Sequence, residues 1–397
     1  MLRRILRSRR LKTLVMGFVD PLFPKNRNKI LFVVKDRTFF SGNHRVVCER
    51  YMKDSKSKLY IYKDGVCPIE IKKELESSGV KVMDGFSLSS AFHILTSGVM
   101  ILSHNPRDAH ISKKFKNRKI INLWHGVAIK RIENLMPNIP PKKQKQLDNN
   151  AKLYDMVIAS SKIDKITNTK AFAVDESRVK ITGLPRYEIL KSSYLGGEVV
   201  KNESQKIEQI KDGRKLILFA PTFRESNSSA IEQIDKNEWR ELEKYIRAKN
   251  LLFGIRPHPY DIKHLPPFIE QSDCFYLFKS SEFTEPNIML KHTDVLIVDF
   301  TSIWIDYLLL HRPIIGFAKD YRHYLEKERG FVFDFDTIFP SVFVDTIKNL
   351  IKEIDKTIQI DKSTIYKETT EILHDYDLTH DFAEDIYNQI ELVRKDA

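Results

Sequence analysis

Asp294-Val295-Leu296-Ile297-Val298-Asp299-Phe300-Thr301-Ser302, residues 294–302, sets four consecutive aliphatic side chains between two aspartates and follows them with a Thr-Ser pair. A run that is apolar at odd and even positions alike buries both faces of a strand, as happens in a parallel sheet covered by helices. Beyond Ser302, Trp304, Tyr307, Leu308 and Leu310 recur at helical spacing, and Arg312-Pro313 ends the pattern. Strand, tight turn and helix in that order are one step of a parallel α/β fold.

The same rhythm runs outward in both directions. Apolar runs at 30–34, 58–62, 80–83, 99–103, 119–123 and 156–160 predict six strands of a first Rossmann-like half, and those at 216–220, 251–256 and 314–317 join 294–299 in a second. Residues 196–214, rich in Lys, Glu, Gln and Gly, read as the junction. Phe382, Ile386, Ile390, Leu392 and Val393 fall at the spacing of a helix that packs on a domain. The expected organisation is a basic segment over 1–28, one domain over 29–200, another over 201–376, and a closing helix over 377–397.

Composition agrees with two domains. A chain of 397 residues exceeds what one core usually organises, and 42% hydrophobic residues suffice to fill two. Cys48, Cys67 and Cys274 lack metal-ligand spacing, and their odd number argues against a disulfide framework. No uncharged apolar window of roughly 18 residues is present, which argues against a spanning helix, and the first segment does not read as a signal peptide. The net charge of +13 is concentrated: residues 1–29 hold nine basic side chains and one acid. With Leu2, Ile5, Leu6, Leu11, Leu14, Val15 and Phe18 at three- and four-residue steps, this segment reads as a basic amphipathic helix on an anionic membrane surface, or else as a solvated basic leader. Nucleic acid is not expected as a partner, because no zinc finger, RNP-like strand or basic-aromatic interleaving accompanies the charge.

Two histidine segments, Asn122-Leu123-Trp124-His125-Gly126 and Arg256-Pro257-His258-Pro259, follow apolar strands 133 positions apart. Residues just past the carboxyl ends of parallel strands face the ligand crevice, so the two imidazoles are expected to converge on one substrate and move a proton or steady a phosphate. Lys130 and Arg131 are expected at a helix start. Thr301 and Ser302 either hold a phosphate on a helix amino terminus or simply cap it, and Asp299 is a cap or an organiser of that site. Arg224 and Arg256, each directly after a strand, have the forked geometry that suits phosphate. No GxGxxG or Walker A loop is present, and Asp334-Phe335-Asp336 is not read as a metal site, so no cofactor or metal is expected.

Taken together, Asn122 to Gly126 with Lys130, Thr182-Gly183-Leu184-Pro185-Arg186, Ala220-Pro221-Thr222-Phe223-Arg224, Arg256 to Pro259, and Asp294 to Asp320 with Arg329-Gly330-Phe331 resemble the CDP-glycerol:poly(glycerophosphate) glycerophosphotransferase family. The resemblance implies a GT-B fold, two Rossmann-like domains facing a central cleft, acting at the cytoplasmic face of a bacterial membrane. It implies transfer of an alditol phosphate, glycerol phosphate foremost, from a CDP-activated donor to a hydroxyl of a lipid-linked or polymeric acceptor in teichoic-acid-like or capsular polymer synthesis, with release of CMP; the alternatives are a CDP-ribitol-specific transferase and a GT-B glycosyltransferase using a nucleotide sugar. His125 would be the base and His258 would stabilise the diphosphate. Arg224, Arg256, Asp299, Thr301, Ser302, Arg329 and Gly330 would serve the donor, and Ser41, Asn43, Gly126, Lys130 and Arg186 the acceptor side. Two positions depart from the family pattern: Tyr187-Glu188 follows Arg186 where Asn-Asp is common, and Val127-Ala128-Ile129 replaces a usual proline.

Overall fold

The computed structural model describes residues 8–35, 39–113, 115, 117–222, 230–322, 330–359 and 366–396. The chain divides into two compact units: residues 1–127, 132–199 and 374–397 form the first, and residues 128–131 and 200–373 the second.

The first unit is built on seven parallel strands: β1 (Asn26–Val34), β2 (Lys58–Lys63), β3 (Lys81–Asp84), β4 (Ser97–Leu102), β5 (Lys119–Asn122), β6 (Met156–Ala159) and β7 (Val179–Ile181), in the order β3-β2-β1-β4-β5-β6-β7. β4 is buried along its whole length, as expected of a strand covered on both faces. The second unit has six parallel strands: β8 (Leu216–Ala220), β9 (Leu252–Ile255), β10 (Phe275–Leu277), β11 (Val295–Val298), β12 (Ile314–Phe317) and β13 (Phe343–Val344), in the order β10-β9-β8-β11-β12-β13. In both sheets the strand order reverses beside the first strand, between β1 and β4 and between β8 and β11, and such switch points open ligand crevices at the carboxyl ends of their strands.

All ten strands expected from apolar runs are present. The three not anticipated, β7, β10 and β13, end their sheets and span only three, three and two residues. Runs that short carry no readable period. Residues 128–131 depart from expectation. No helix begins at Lys130; the segment is extended, with Val332 N–H donating to the Ile129 carbonyl (2.8 Å), Arg131 N–H to the Gly330 carbonyl (3.0 Å), and an antiparallel bridge from Lys130 to Phe331. The β-branched Ile129 and its neighbour Ala128 are buried there, where a strand-like backbone packs them better than a helix start would.

The stretch read as a junction is largely a helix, Glu198–Lys211, and the division between units falls at its second residue. Helix Phe382–Lys395 packs on the first unit through Arg50–Glu384 (2.6 Å) and Tyr51–Glu391 (2.9 Å). Gly183 permits this. Its φ is +66°, and a Cβ there would come within 2.5 Å of the Phe382 ring, so no other residue fits without displacing the helix. Glu188 accepts the Phe382 N–H at 3.2 Å, placing a carboxylate at the positive end of that helix.

The amino-terminal segment is docked by its charges. Of its basic residues within the described part, Arg9 pairs with Asp108, Lys12 with Asp64 (3.4 Å) and Lys25 with Asp20 (3.0 Å), Arg27 donates to the Arg394 carbonyl, and Lys29 donates to Thr96. Met16 enters the core, whereas Leu14, Phe18 and Leu22 point outward, 69%, 81% and 76% exposed. Among the described residues no helix is long and apolar enough to cross a membrane.

Candidate active site

In the first unit, His125 sits three residues past β5, beside the β1/β4 switch point. Its loop is held from below. Asn43, itself buried, donates to the carbonyls of Leu123 (3.0 Å) and Trp124 (3.3 Å) and accepts the Arg186 N–H (3.1 Å), while the Arg186 guanidinium donates to the His125 carbonyl (2.7 Å). The Asn122 side chain accepts the Trp124 N–H at 2.9 Å and supports a left-handed Trp124, φ 47°, a strained conformation of the kind functional loops retain. Asn43 and Arg186, expected on the acceptor side, thus clamp the His125 loop through their polar groups.

The His125 ring is fixed as closely as its backbone. It stacks on His104 (4.3 Å between centroids, 12° between planes) and lies against Trp124 (4.0 Å). Its Nδ1 is 3.1 Å from the Ser103 carbonyl. A carbonyl only accepts, so the neutral ring carries its proton on Nδ1 and presents a lone pair at Nε2. Although the ring keeps an edge open to solvent, the protein around it depresses its pKa to about 4. Desolvation leads, the Ser103 carbonyl opposes it, and Arg186 adds to it. His104 is driven lower still, to about 2, by burial and then by His125. His104 was not singled out from sequence, yet it follows β4 just as His125 follows β5, and that placement was the available signal.

In the second unit, Asp299 is fully buried. It accepts the Thr222 N–H at both carboxylate oxygens (2.9 and 3.0 Å) and the Thr222 hydroxyl (2.6 Å). It therefore ties the end of β8 to the end of β11 across the switch point instead of facing solvent. The Thr301 hydroxyl receives the Ile303 N–H at 3.4 Å, and Ser302 sits at the N-cap of helix Ile303–Leu308 with no side-chain cap bond; both residues are partly exposed. His258 Nδ1 accepts the Tyr260 N–H at 3.4 Å, which leaves the proton of the neutral ring on Nε2. Arg256 turns inward. It donates to the Phe283 carbonyl at 3.0 Å, and burial lowers its pKa to about 10 against the pull of Glu203 and Glu285.

Arg224 and Arg329 lie outside the described residues. Gly330 has φ +76° and offers its carbonyl to Arg131; Gly126 is buried, and Ser41 and Lys130 are partly exposed. Asp334 accepts the Thr337 hydroxyl at 2.8 Å at the start of a one-turn helix, and among the described residues no group of three His, Cys, Asp or Glu side chains could hold a metal.

His44 supplies a test of this environment. Only 3% exposed and stacked on Phe40, it has its pKa lowered to about 4 by burial. The unfolded chain binds this proton near pH 6.5 and the folded chain does not until about pH 4, so stability falls as pH drops through that window, by up to about 3 kcal/mol for this ring. Thermal unfolding between pH 7 and 4.5 is expected to show the decline, and His44→Phe to flatten it; an equal slope in the variant would remove His44 from the account.

Two all-parallel α/β units in one chain, each bearing a histidine three residues past a strand beside its switch point, place the chain in the GT-B-like class of α/β folds. Comparison with known proteins narrows the class. The sequence profile of the CDP-glycerol:poly(glycerophosphate) glycerophosphotransferase family matches residues 15–377, and the chain belongs to that family. It is 30% identical over 359 residues to the teichoic acid poly(ribitol-phosphate) polymerase of Bacillus spizizenii, aligning 87% of this chain with 54% of that one. It is 26% identical to the teichoic acid poly(glycerol phosphate) polymerase of the same organism, aligning 85% of each. The chain thus spans about half the length of the first relative and most of the second. In fold it resembles the wall teichoic acid polymerase TagF, with a TM-score of 0.81, 18% identity, and coverage of 98% of this chain and 95% of that one.

Proposed function

We propose that this protein transfers glycerol phosphate or ribitol phosphate from a CDP-alditol to a hydroxyl of a lipid-linked or polymeric acceptor, releasing CMP. The observation that carries the reading is the opposite protonation of the two loop histidines: His125 offers a lone pair at Nε2, and His258 offers a proton there. His125 takes the acceptor proton as the acceptor oxygen bonds to the phosphorus bearing the alditol. The bond from that phosphorus to the bridging oxygen breaks, and CMP leaves with the electron pair. His258 Nε2–H, Arg224, Arg329 and the hydroxyls of Thr301 and Ser302 hold the phosphates, since phosphoryl transfer depends on positioning and charge stabilisation more than on covalent help. Asp299 keeps the donor loops in register, and Asn43 and Arg186 do the same for His125.

We infer that the reaction takes place at the inner surface of a bacterial membrane, with attachment through Leu14, Phe18 and Leu22, a reading supported by their exposure. Because most of the described amino-terminal cations are engaged within the first unit, the apolar stripe supports this attachment better than the charge does.

The test is nucleotide release by purified protein with a detergent-dispersed acceptor, offering CDP-glycerol, CDP-ribitol and UDP-sugars separately. CMP release confined to one or both CDP-alditols is expected and names the alditol. UDP release, or silence with every CDP-alditol, would sink the reading.

A further inference from the structure

A cavity of about 870 Å³ opens in the first unit at its switch point, where Lys35 follows β1 and His104 follows β4. Its charge is one-sided. Arg10, Lys35, Arg107, Lys142 and Lys145 line it, and its two carboxylates, Asp108 and Glu133, are already bound to Arg9 and Lys143.

The helices around it are arranged against their own electrostatics. Helix Pro141–Ala151 places Lys142 and Lys143 in a first turn that has no acidic residue, and helix Arg9–Val19 begins with two arginines under the same condition. Cations at the positive end of a helix destabilise it. Along the first of these helices Lys142, Lys145, Gln146 and Asn149 fall at i, i+3, i+4 and i+7, one stripe facing the cavity, while Leu147 and Ala151 are buried. Arg9 and Lys143 have Asp108 and Glu133 as partners, and an anion in the cavity relieves the repulsion at Arg10 and Lys142.

We propose that this cavity binds phosphate groups of the acceptor, with Lys142, Lys145 and Arg107 as principal contacts, Arg10 as a fourth, and His104 as the floor leading to His125. The proposal rests on the transferase reading above and extends it. None of Ser41, Asn43, Gly126, Lys130 and Arg186 lines this cavity, so the acceptor's charge is held apart from the clamp that fixes the base. An acceptor anchored here by its phosphates meets the His104–His125 stack, and its terminal hydroxyl comes within reach of Nε2. The volume accommodates several atoms beyond one phosphate. The shared ligand chemistry is a phosphate anion, supplied either by a diester of a poly(alditol phosphate) or by the phosphate of a lipid carrier.

The experiment is calorimetric titration of the full chain with tri(glycerol phosphate), with a short-chain prenyl phosphate, and with uncharged triglycerol. The wild type is expected to bind at least one phosphate-bearing probe, more weakly at high salt, and not triglycerol. The variant Lys142→Ala/Lys145→Ala/Arg107→Ala is expected to lose about tenfold in affinity per charge removed, with its melting temperature equal to or above that of the wild type. Which probe binds assigns the source: the oligomer alone points to the polymer, the prenyl phosphate alone to the carrier. Binding of neither, unchanged affinity in the variant, or equal binding of triglycerol overturns the proposal. CMP release is measured separately. Its failure with every CDP-alditol would strike the transferase reading and leave the binding result intact.

Discussion

Replacing His125 by alanine is expected to lower kcat for CMP release by roughly 10²- to 10⁴-fold, the usual contribution of a positioned general base, with no loss of folded protein. The side chain makes one hydrogen bond, to the Ser103 carbonyl, and stacks on His104 and Trp124 at a solvent-open edge, so its removal leaves no buried charge. The pH profile distinguishes a base from a packing group. In the free protein the His125 pKa is lowered to about 4, mainly by desolvation, so the acid limb of kcat/KM should lie well below the ordinary imidazole value. Binding phosphate-bearing substrates brings negative charge to the ring and raises its pKa, so the limb of kcat should lie at higher pH. His258→Ala should also impair turnover, but through a lost donor to a phosphate, and without moving the acid limb. Near-normal turnover in His125→Ala would remove the base from the mechanism.

The largest expected effect on stability comes from Arg118→Met. Arg118 and Asp20 are each 1% exposed. The guanidinium grips both carboxylate oxygens, one at 2.8 Å, and also donates to the carbonyls of Ser97 (3.2 Å), Ile94 (3.1 Å) and Leu95 (2.9 Å). Methionine fills the volume and abandons all of these groups, leaving Asp20 with Lys25 alone. Breaking a buried pair from one side costs about 3–5 kcal/mol, a large share of the 5–15 kcal/mol typical of a folded domain. Chemical denaturation should show that loss, and Asp20→Leu/Lys25→Met/Arg118→Met should recover part of it because all three charges of the cluster are then removed together. A single variant within about 1 kcal/mol of wild type would mean that water reaches the pair.

Strand positions were legible because apolar runs such as 99–102 and 295–298 admit no other reading than burial on both faces. The positions of His125 and His258 past strand ends were legible, and the same signal at 99–102 pointed to His104, which was passed over. What the sequence did not disclose depends on distant partners. Asn43 was expected near a substrate, yet its amide is consumed by carbonyls some eighty residues away and by the Arg186 amide. Arg256 follows a strand as expected, but the buried carboxylates of Glu203 and Glu285 draw it inward. The basic leader looked like a surface feature, and Asp20, Asp64 and Asp108 turned much of its charge to structural use. In each case local composition gave the residue's chemistry, and only tertiary contact decided which groups that chemistry meets.

Because residues 374–397 belong to the first unit while 200–373 build the second, the order of synthesis and the order of completion run opposite ways. A ribosome delivers all seven strands of the first sheet by residue 181, then the whole second unit, and only afterwards the helix that supplies Glu384 and Glu391 to Arg50 and Tyr51. Until then Gly183 and its neighbours await the Phe382 ring. Growing chains therefore carry an unfinished first unit through the translation of nearly half the protein, a long interval for chaperone capture. A stop codon placed just before residue 374 would damage the half that was made first.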